Sequence, residues 1–346
     1  MLLLTLADLR HRALRFVVVT ILTAVVFVLL FLMTGLIEQF NQEPFLAVDA
    51  IDAESWVVPE GVSGPFTASS TLPATVADEV TAEVSDPVVV ARGTLNLVDE
   101  STELLVFGHE IGGLGSPTPT EGRAATAPGE VVLDRSAGVA IGEGVEIGDA
   151  AFTVVGLTDD TTILAGIPFA FLPIGDAQDL VFGTDQVISA VLTDGDVTAP
   201  SGTVVITADE AAEDALGPLE SAVASVDLIR VLLWVMAAII IGAVVYLSAL
   251  ERSRDFAVLK AVGARNRSLA GSLAIQAVVV AIVGVGVAAG LQVLIQPVFP
   301  LTVRVPVSAF WTIPTVAVVV ALVAAVAGMR RVAGADPATA FAGPGA

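Results

Sequence analysis

Four runs of this chain, 14–37, 226–250, 269–295 and 308–329, are each long and apolar enough to cross a lipid bilayer. A bilayer core of about 30 Å takes roughly 20 helical residues. Within lipid, a spanning segment must satisfy its backbone N–H and C=O groups internally, which confines each run to a helix. The first run resembles a secretory signal, but its apolar stretch exceeds such a core and no small-x-small cleavage site follows Gly35, so it reads as a retained anchor. The remaining long segment, 38–217, is polar and turn-rich. The expected fold is an α-helical membrane protein with four transmembrane helices plus one extracytoplasmic α+β domain inserted between the first and second helices.

Charge orients these elements. Of 37 acidic residues, 33 lie between Glu38 and Asp227, a region with only Arg92, Arg123 and Arg135 as basic residues. Ten of the fifteen basic residues fall in the pieces 10–15, 252–267 and 330–331, each beside an apolar run. Basic residues flanking a span mark the cytoplasmic side. Both termini and the 251–268 loop are therefore expected in the cytoplasm of a multi-pass cell-membrane protein, with 38–217 and a short 296–307 loop outside. The large domain has the wrong sign for nucleic acid. The absence of cysteine excludes disulfide and thiolate-metal chemistry.

Along the chain, residues 1–13 carry Leu2, Leu6 and Leu9 at helical spacing ahead of Arg10, Arg12 and Arg15, the pattern of an amphipathic helix on the inner membrane face. In the external segment, 88–98, 104–107, 130–133, 145–157, 186–192 and 203–207 read as strands, with turns at Gly142, Gly144 and Gly148-Asp149. From Pro218 to Leu250 no further proline occurs. A continuous helix over 219–250 would run about 48 Å, longer than the hydrocarbon core, so 218–250 is expected to form a stalk and the second span together. Gly286 and Gly290 in the third span have the small-residue spacing that permits close helix packing. Pro314 lies near the outer end of the fourth span (308–329), and 330–346 forms a cytoplasmic tail.

The 251–268 loop is more structured than a reversal requires. Phe256, Leu259 and Val262 recur three apart, with Gly263 as a stop, which suits a short helix docking against something in the cytosol. Enzymatic signatures are missing. Lys260 is the only lysine and follows Leu259, so no Gly-Lys-Ser/Thr phosphate loop exists. His109-Glu110 begins like a zincin helix, but Ile111-Gly112-Gly113 follow and no second histidine appears nearby. No catalytic residue and no metal ligand set is assigned.

Charged and soft residues at the outer boundary are the remaining candidates. Asp227, Arg230 and Trp234 share one face where the second span begins, and Met33 and Glu38 close the first. One reading is interfacial anchoring, with Asp227 and Arg230 paired and Trp234 at headgroup level. The other is a lateral substrate site for an amphiphile, in which Arg230 takes a carboxylate and Met33 or Glu38 meets an iron centre or polar head. Met33 and Glu38 lie about 140° apart on an ideal helix, so that helix alone does not converge them.

The segment Glu251-Arg252-Ser253-Arg254-Asp255-Phe256-Ala257-Val258-Leu259-Lys260-Ala261-Val262-Gly263-Ala264 resembles the cytoplasmic loop of MacB/FtsX-type ABC-transporter permeases, E-R-x-R-E-[IF]-x-x-L-[KR]-A-[LIV]-G-A, departing only by Asp255 for the usual Glu. Asp336-Pro337-Ala338-Thr339-Ala340 is similar to the family's D-P-A-x-A ending, and 130–136 with 148–157 resembles its external β module. The resemblance implies a homodimer of permeases in membrane lipid, each with a separate ABC ATPase subunit that binds ATP and Mg. This chain itself would be neither an enzyme nor the carrier of a covalent cofactor. Glu251, Arg252, Arg254, Asp255, Phe256, Leu259, Lys260 and Gly263 would form the ATPase-coupling helix. The compact chain looks most like the DevC/HrtB branch, which includes hemin-efflux permeases, so heme is the expected substrate. Other lipophiles, lipids, lipoproteins, antibiotics, or a non-transporting role as mechanical regulator of an external enzyme, stand as alternatives.

Overall fold

The computed structural model describes residues 13–97, 101–251, 266–298 and 303–333. The chain divides into two compact units, one of residues 1–38 with 224–346 and one of residues 39–223.

The first unit is a helical bundle. Its helices are Ala13–Asp49, Glu220–Glu251, Asn266–Ile295 and Ala309–Ala333, all long and apolar enough to cross a membrane. The interior is built from repeating stripes: Ala237, Ile241, Val245 and Ala249 on the second helix, Leu273, Ala277 and Ala281 on the third, and Ile313, Ala317, Ala321 and Ala325 on the fourth. Spacing of four keeps each stripe on one face, and alanine lets helix axes approach closely. Phe27, Leu30 and Phe31 of the first helix fill the volume the alanines leave. The outward faces carry exposed Leu232, Ile239, Ile282 and Val323, as a lipid-facing surface requires. Gly286 and Gly290 lie on such an exposed face with open space around them, and Gly284 is the glycine that packs, against Thr23.

The second span is one unbroken helix of 32 residues through Asp227, preceded by a 3₁₀ turn at Gly217–Leu219. The first helix also runs on, past Ile37 to Asp49 and through Pro44. Its last turns are held by burial of Ala47 and Val48 in the core of the second unit.

The second unit is sheet-rich. Its main sheet runs in the order Thr203–Thr207, Ser55–Pro59, Ala190–Asp194, Val84–Asn96, Ser101–His109, Ile167–Pro173, Glu130–Asp134, Ala150–Thr158. Gly144–Ile147 pairs with both Ala150–Thr158 and the far end of Val84–Asn96, through Leu95↔Ile147. Six strands thereby close into a small barrel: 84–96, 101–109, 167–173, 130–134, 150–158 and 144–147. The remaining strands extend from the first half of Val84–Asn96 as an open sheet.

Strand alternation divides the side chains between two cores. Leu105 and Phe107, with Phe169 and Phe171, face an aromatic core that contains Trp56 and Phe66. Leu104 and Val106, with Ala170 and Leu172, face the barrel core with Val131, Leu133 and Phe152. Residues buried on both faces read as unbroken apolar runs, which explains Leu104–Phe107. Gly108 sits where helix Ile174–Val181 crosses the sheet, and a Cβ there would lie 2.3 Å from the Ala177 Cβ.

The expected strands 88–98, 104–107, 130–133 and 203–207 coincide with observed ones, and 145–157 divides at Gly148 into two. Ser55–Pro59 and Ile167–Pro173 are strands that the sequence did not announce. The prolines of Ile167–Pro173 sit near its ends, where a missing donor costs little. Helix Ala208–Leu216 starts at a capping box, in which Glu210 N donates to Thr207 Oγ1 (3.2 Å) and Thr207 N donates to the Glu210 carboxylate (2.8 Å).

Candidate functional site

Of the outer-boundary residues, Asp227 and Arg230 form an ion pair one helical turn apart. Trp234 turns into the bundle and meets Phe27 edge to face, with ring centroids 6.2 Å apart. Met33 is half-buried and packs against the same apolar cluster as Trp234. Glu38 is half-buried and already engaged in an interaction. Asp227 and Arg230 are thus paired, whereas Trp234 packs inward and not at headgroup level as the anchoring reading expects. Arg230 keeps a third of its side chain exposed.

The loop between the third and fourth spans closes tightly on the first. Gln296 Nε2 donates to the Val303 carbonyl at 2.7 Å. A Cβ on Gly35 would lie 2.5 Å from Val303 Cγ1 and 3.0 Å from the Val305 backbone nitrogen, so only glycine admits this approach. At the other end of the second span, Glu251 is the exposed last residue of its helix. Arg252, Arg254, Asp255, Phe256, Leu259, Lys260 and Gly263 lie outside the described residues, as do 1–12.

Polar groups inside the bundle went unremarked in the sequence. Gln276 Nε2 donates to Ser248 Oγ at 2.9 Å, tying the third helix to the second. The hydroxyl of Thr23 and Oε1 of Gln292 are buried without a bond among the described residues. The available signal was their isolation, single polar residues on inward positions of apolar runs. In hydrocarbon, such groups hold helices together or face a partner.

In the sheet-rich unit, Asp214 and Asp134 organise loops. The Asp214 carboxylate accepts from Ser63 Oγ and Thr67 Oγ1 (both 2.6 Å) and from the Phe66 and Thr67 backbone nitrogens. Buried Asp134 accepts from Ser136 N and from both N and Oγ1 of Thr161. Glu130 is clamped by Arg123, first through hydrogen bonds and then through charge, which holds its carboxyl down to about 2. His109 is fully buried. Its Nδ1 meets the Glu110 carbonyl while Nε2 has no partner among the described residues, and burial pushes its pKa down. Among the described residues no group of acidic, histidine or cysteine side chains is arranged to hold a metal ion.

Four apolar helices with alanine-striped interiors, joined to a large sheet-rich unit, define a multi-pass membrane protein. Residues 228–337 match the FtsX-like permease C-terminal family, a span that includes the entire 251–268 loop. An uncharacterized ABC transporter permease of Mycobacterium bovis is 38% identical over 99% of this chain and 100% of its own length. A second such permease, from Mycobacterium tuberculosis, is 37% identical over the same shares. The chain therefore belongs to the FtsX-like ABC transporter permeases. Among solved structures, the periplasmic region of MacB from Actinobacillus actinomycetemcomitans covers 45% of this chain and 89% of its own, at 13% identity and a TM-score of 0.33. The extracellular domain of the ABC-type transporter YknZ from Gram-positive bacteria covers 43% and 83%, at 16% identity and a TM-score of 0.30.

Proposed function

We propose that this permease works with a separate ATPase subunit, seated against the 251–268 loop, and converts ATP hydrolysis into movement of its external domain. The observation that carries the reading is family membership over the whole chain, together with the fourteen-residue loop motif inside the matched span. Membership of an ABC permease family implies the partner ATPase. In this reading ATP and Mg belong to that partner, the permease acts as a homodimer in membrane lipid with both termini cytoplasmic, and the chain is itself no enzyme. The unbroken Glu220–Glu251 helix supports coupling, since it runs from the start of the loop motif to the end of the external segment. Leu259→Asp should abolish ATPase capture while leaving the permease inserted. Capture at the wild-type level would remove the docking role.

The cargo we propose is an amphiphile taken from the outer leaflet, with hemin first among the candidates because it joins a flat apolar body to two carboxylates. The exposed part of Arg230 and the soft thioether of Met33 supply the chemistry for it. Titrating the purified permease with hemin tests this. A saturable, shifted Soret band weakened by Met33→Ala, Glu38→Ala or Arg230→Ala supports the assignment. A spectrum identical to hemin in empty micelles turns the reading to another lipophile or to a lipoprotein.

A further inference from the structure

The long strand Val84–Asn96 serves two structures at once. Its first half lies in the open sheet and its second half in the barrel. Where it passes from one to the other, a cleft of about 240 Å³ opens beside Ala91 and Arg92. Its lining includes loop residues 65–70, with Phe66 almost fully buried, and half-buried Val181 and Phe182 at the end of the Ile174–Val181 helix. Thr67, Ser69, Ser70 and Arg92 supply polar groups among the apolar lining, and junctions between substructures are places where small-ligand sites occur.

Two observations indicate what would enter. The unit from Gln39 to Val223 holds 31 carboxylates against three arginines. Arg123 is held by both oxygens of Glu130, and Arg135 is divided between Glu121 and Asp159. Arg92 gives one hydrogen bond, Nη1 to Glu103 Oε1 at 3.0 Å, and half its side chain is exposed. The rest of its donor fork has no bond among the described residues, so of the three it is the least engaged and has the most donors left for a further anion. The other observation is the apolar lining. Half-buried Val181 and Phe182 line the cleft together with a loop that is not free to fold over it. Asp214 fixes that loop through Ser63, Phe66 and Thr67.

We infer that this cleft binds an anionic amphiphile, with a phosphate or carboxylate head on Arg92 and a short apolar tail against Val181 and Phe182. The excess of carboxylates repels a bare anion, so the head alone is not retained and the tail is required. The inference is independent of ATP coupling and of the outer-leaflet site, because it concerns equilibrium binding to the sheet-rich unit alone.

The structure provides a reporter. Phe66 packs edge to face on buried Trp56, with centroids 5.5 Å apart, and the other tryptophans are Trp234 and Trp311. In full-length permease in lipid nanodiscs, with Trp234→Phe and Trp311→Phe, octyl phosphate is titrated below its micellar concentration against Trp56 emission. A saturable change is expected, weakened at least about tenfold by Arg92→Ala and tightened by Glu103→Gln, which releases the arginine. Octanol and inorganic phosphate should each bind at least about tenfold more weakly than octyl phosphate. No saturable change, equal binding of octanol, or Glu103→Gln and Arg92→Ala both matching wild type would overturn the assignment. Should Arg92→Ala fail to fold, the Glu103→Gln shift and the two half-ligands decide.

Discussion

Glu43 offers the sharpest test of how the end of the first helix engages the sheet-rich unit. Its side chain is 1% exposed, and its two oxygens accept from Gly166 N at 2.7 Å and Ala165 N at 3.1 Å. The turn it holds is unusual: Leu164, Ala165 and Gly166 have φ of 54°, 73° and 104°. A left-handed conformation costs a residue with a side chain about 1–2 kcal/mol, so two such residues need an external hold. Glu43→Ala removes two hydrogen bonds to a charged acceptor, each worth about 1.5–3 kcal/mol. Relief of the buried carboxylate's desolvation returns part of this. The net loss of local stability is about 2–4 kcal/mol, or on the order of 30- to 700-fold faster amide exchange at Ala165 and Gly166 at 1.4 kcal/mol per tenfold. Glu43→Gln keeps one acceptor and should fall between. Hydrogen-exchange mass spectrometry on the full permease reads the effect in peptides covering 160–168, with 84–96 as control. Exchange within threefold of wild type in Glu43→Ala would refute the reasoning, as would equal acceleration in the control strand.

Other substitutions test separate parts. Asp214→Ala should free the 63–67 loop at a cost of about 2–3 kcal/mol, lowering the Tm and shifting Trp56 emission through Phe66; an unchanged spectrum would remove that role. Gly108→Val should destabilise the sheet-rich unit by about 3 kcal/mol or more, since the added carbon meets the Ala177 Cβ and neither element can yield cheaply; denaturant melts check it. His109 has a pKa lowered by burial, so the folded state disfavours its protonation. Its contribution is fully present above the unfolded value near 6.5 and lost as pH falls from there toward the folded value. Acid melts of wild type should thus show a loss of stability below about pH 6.5 that His109→Gln lacks. Gly35→Val should push the 303–305 loop off the first helix, seen as faster exchange in that loop and no change in the 130–134 strand.

The spans were legible because lipid leaves the backbone no choice, and strands such as Val84–Asn96 because turn residues bracket a β-branched run. The barrel was not legible. Its closure depends on Leu95 meeting Ile147, a pairing between residues far apart that carries no local signature. Glu38, Gln39 and Asn41 end the apolar run of the first helix, which places its predicted end at Ile37. It continues because Ala47 and Val48 find a protein core, a tertiary reason that periodicity within the span does not report. Asp227 and Arg230 were recognisable from their spacing as a pair. The inward turn of Trp234 toward Phe27 was not, since an outer-boundary tryptophan in sequence is equally suited to headgroups.

Strand Ser55–Pro59 lies between Thr203–Thr207 and Ala190–Asp194, both made more than a hundred residues later. The first strand synthesised in this unit therefore waits, with both edges unpaired and Trp56, Val57 and Val58 uncovered, until nearly all of the unit has been made. Its apolar middle is an aggregation hazard for the whole of that interval. The sheet cannot be completed by degrees as the chain lengthens. It is sealed by the last strand before the second span, which makes the arrival of that strand the event that ends the chain's exposure.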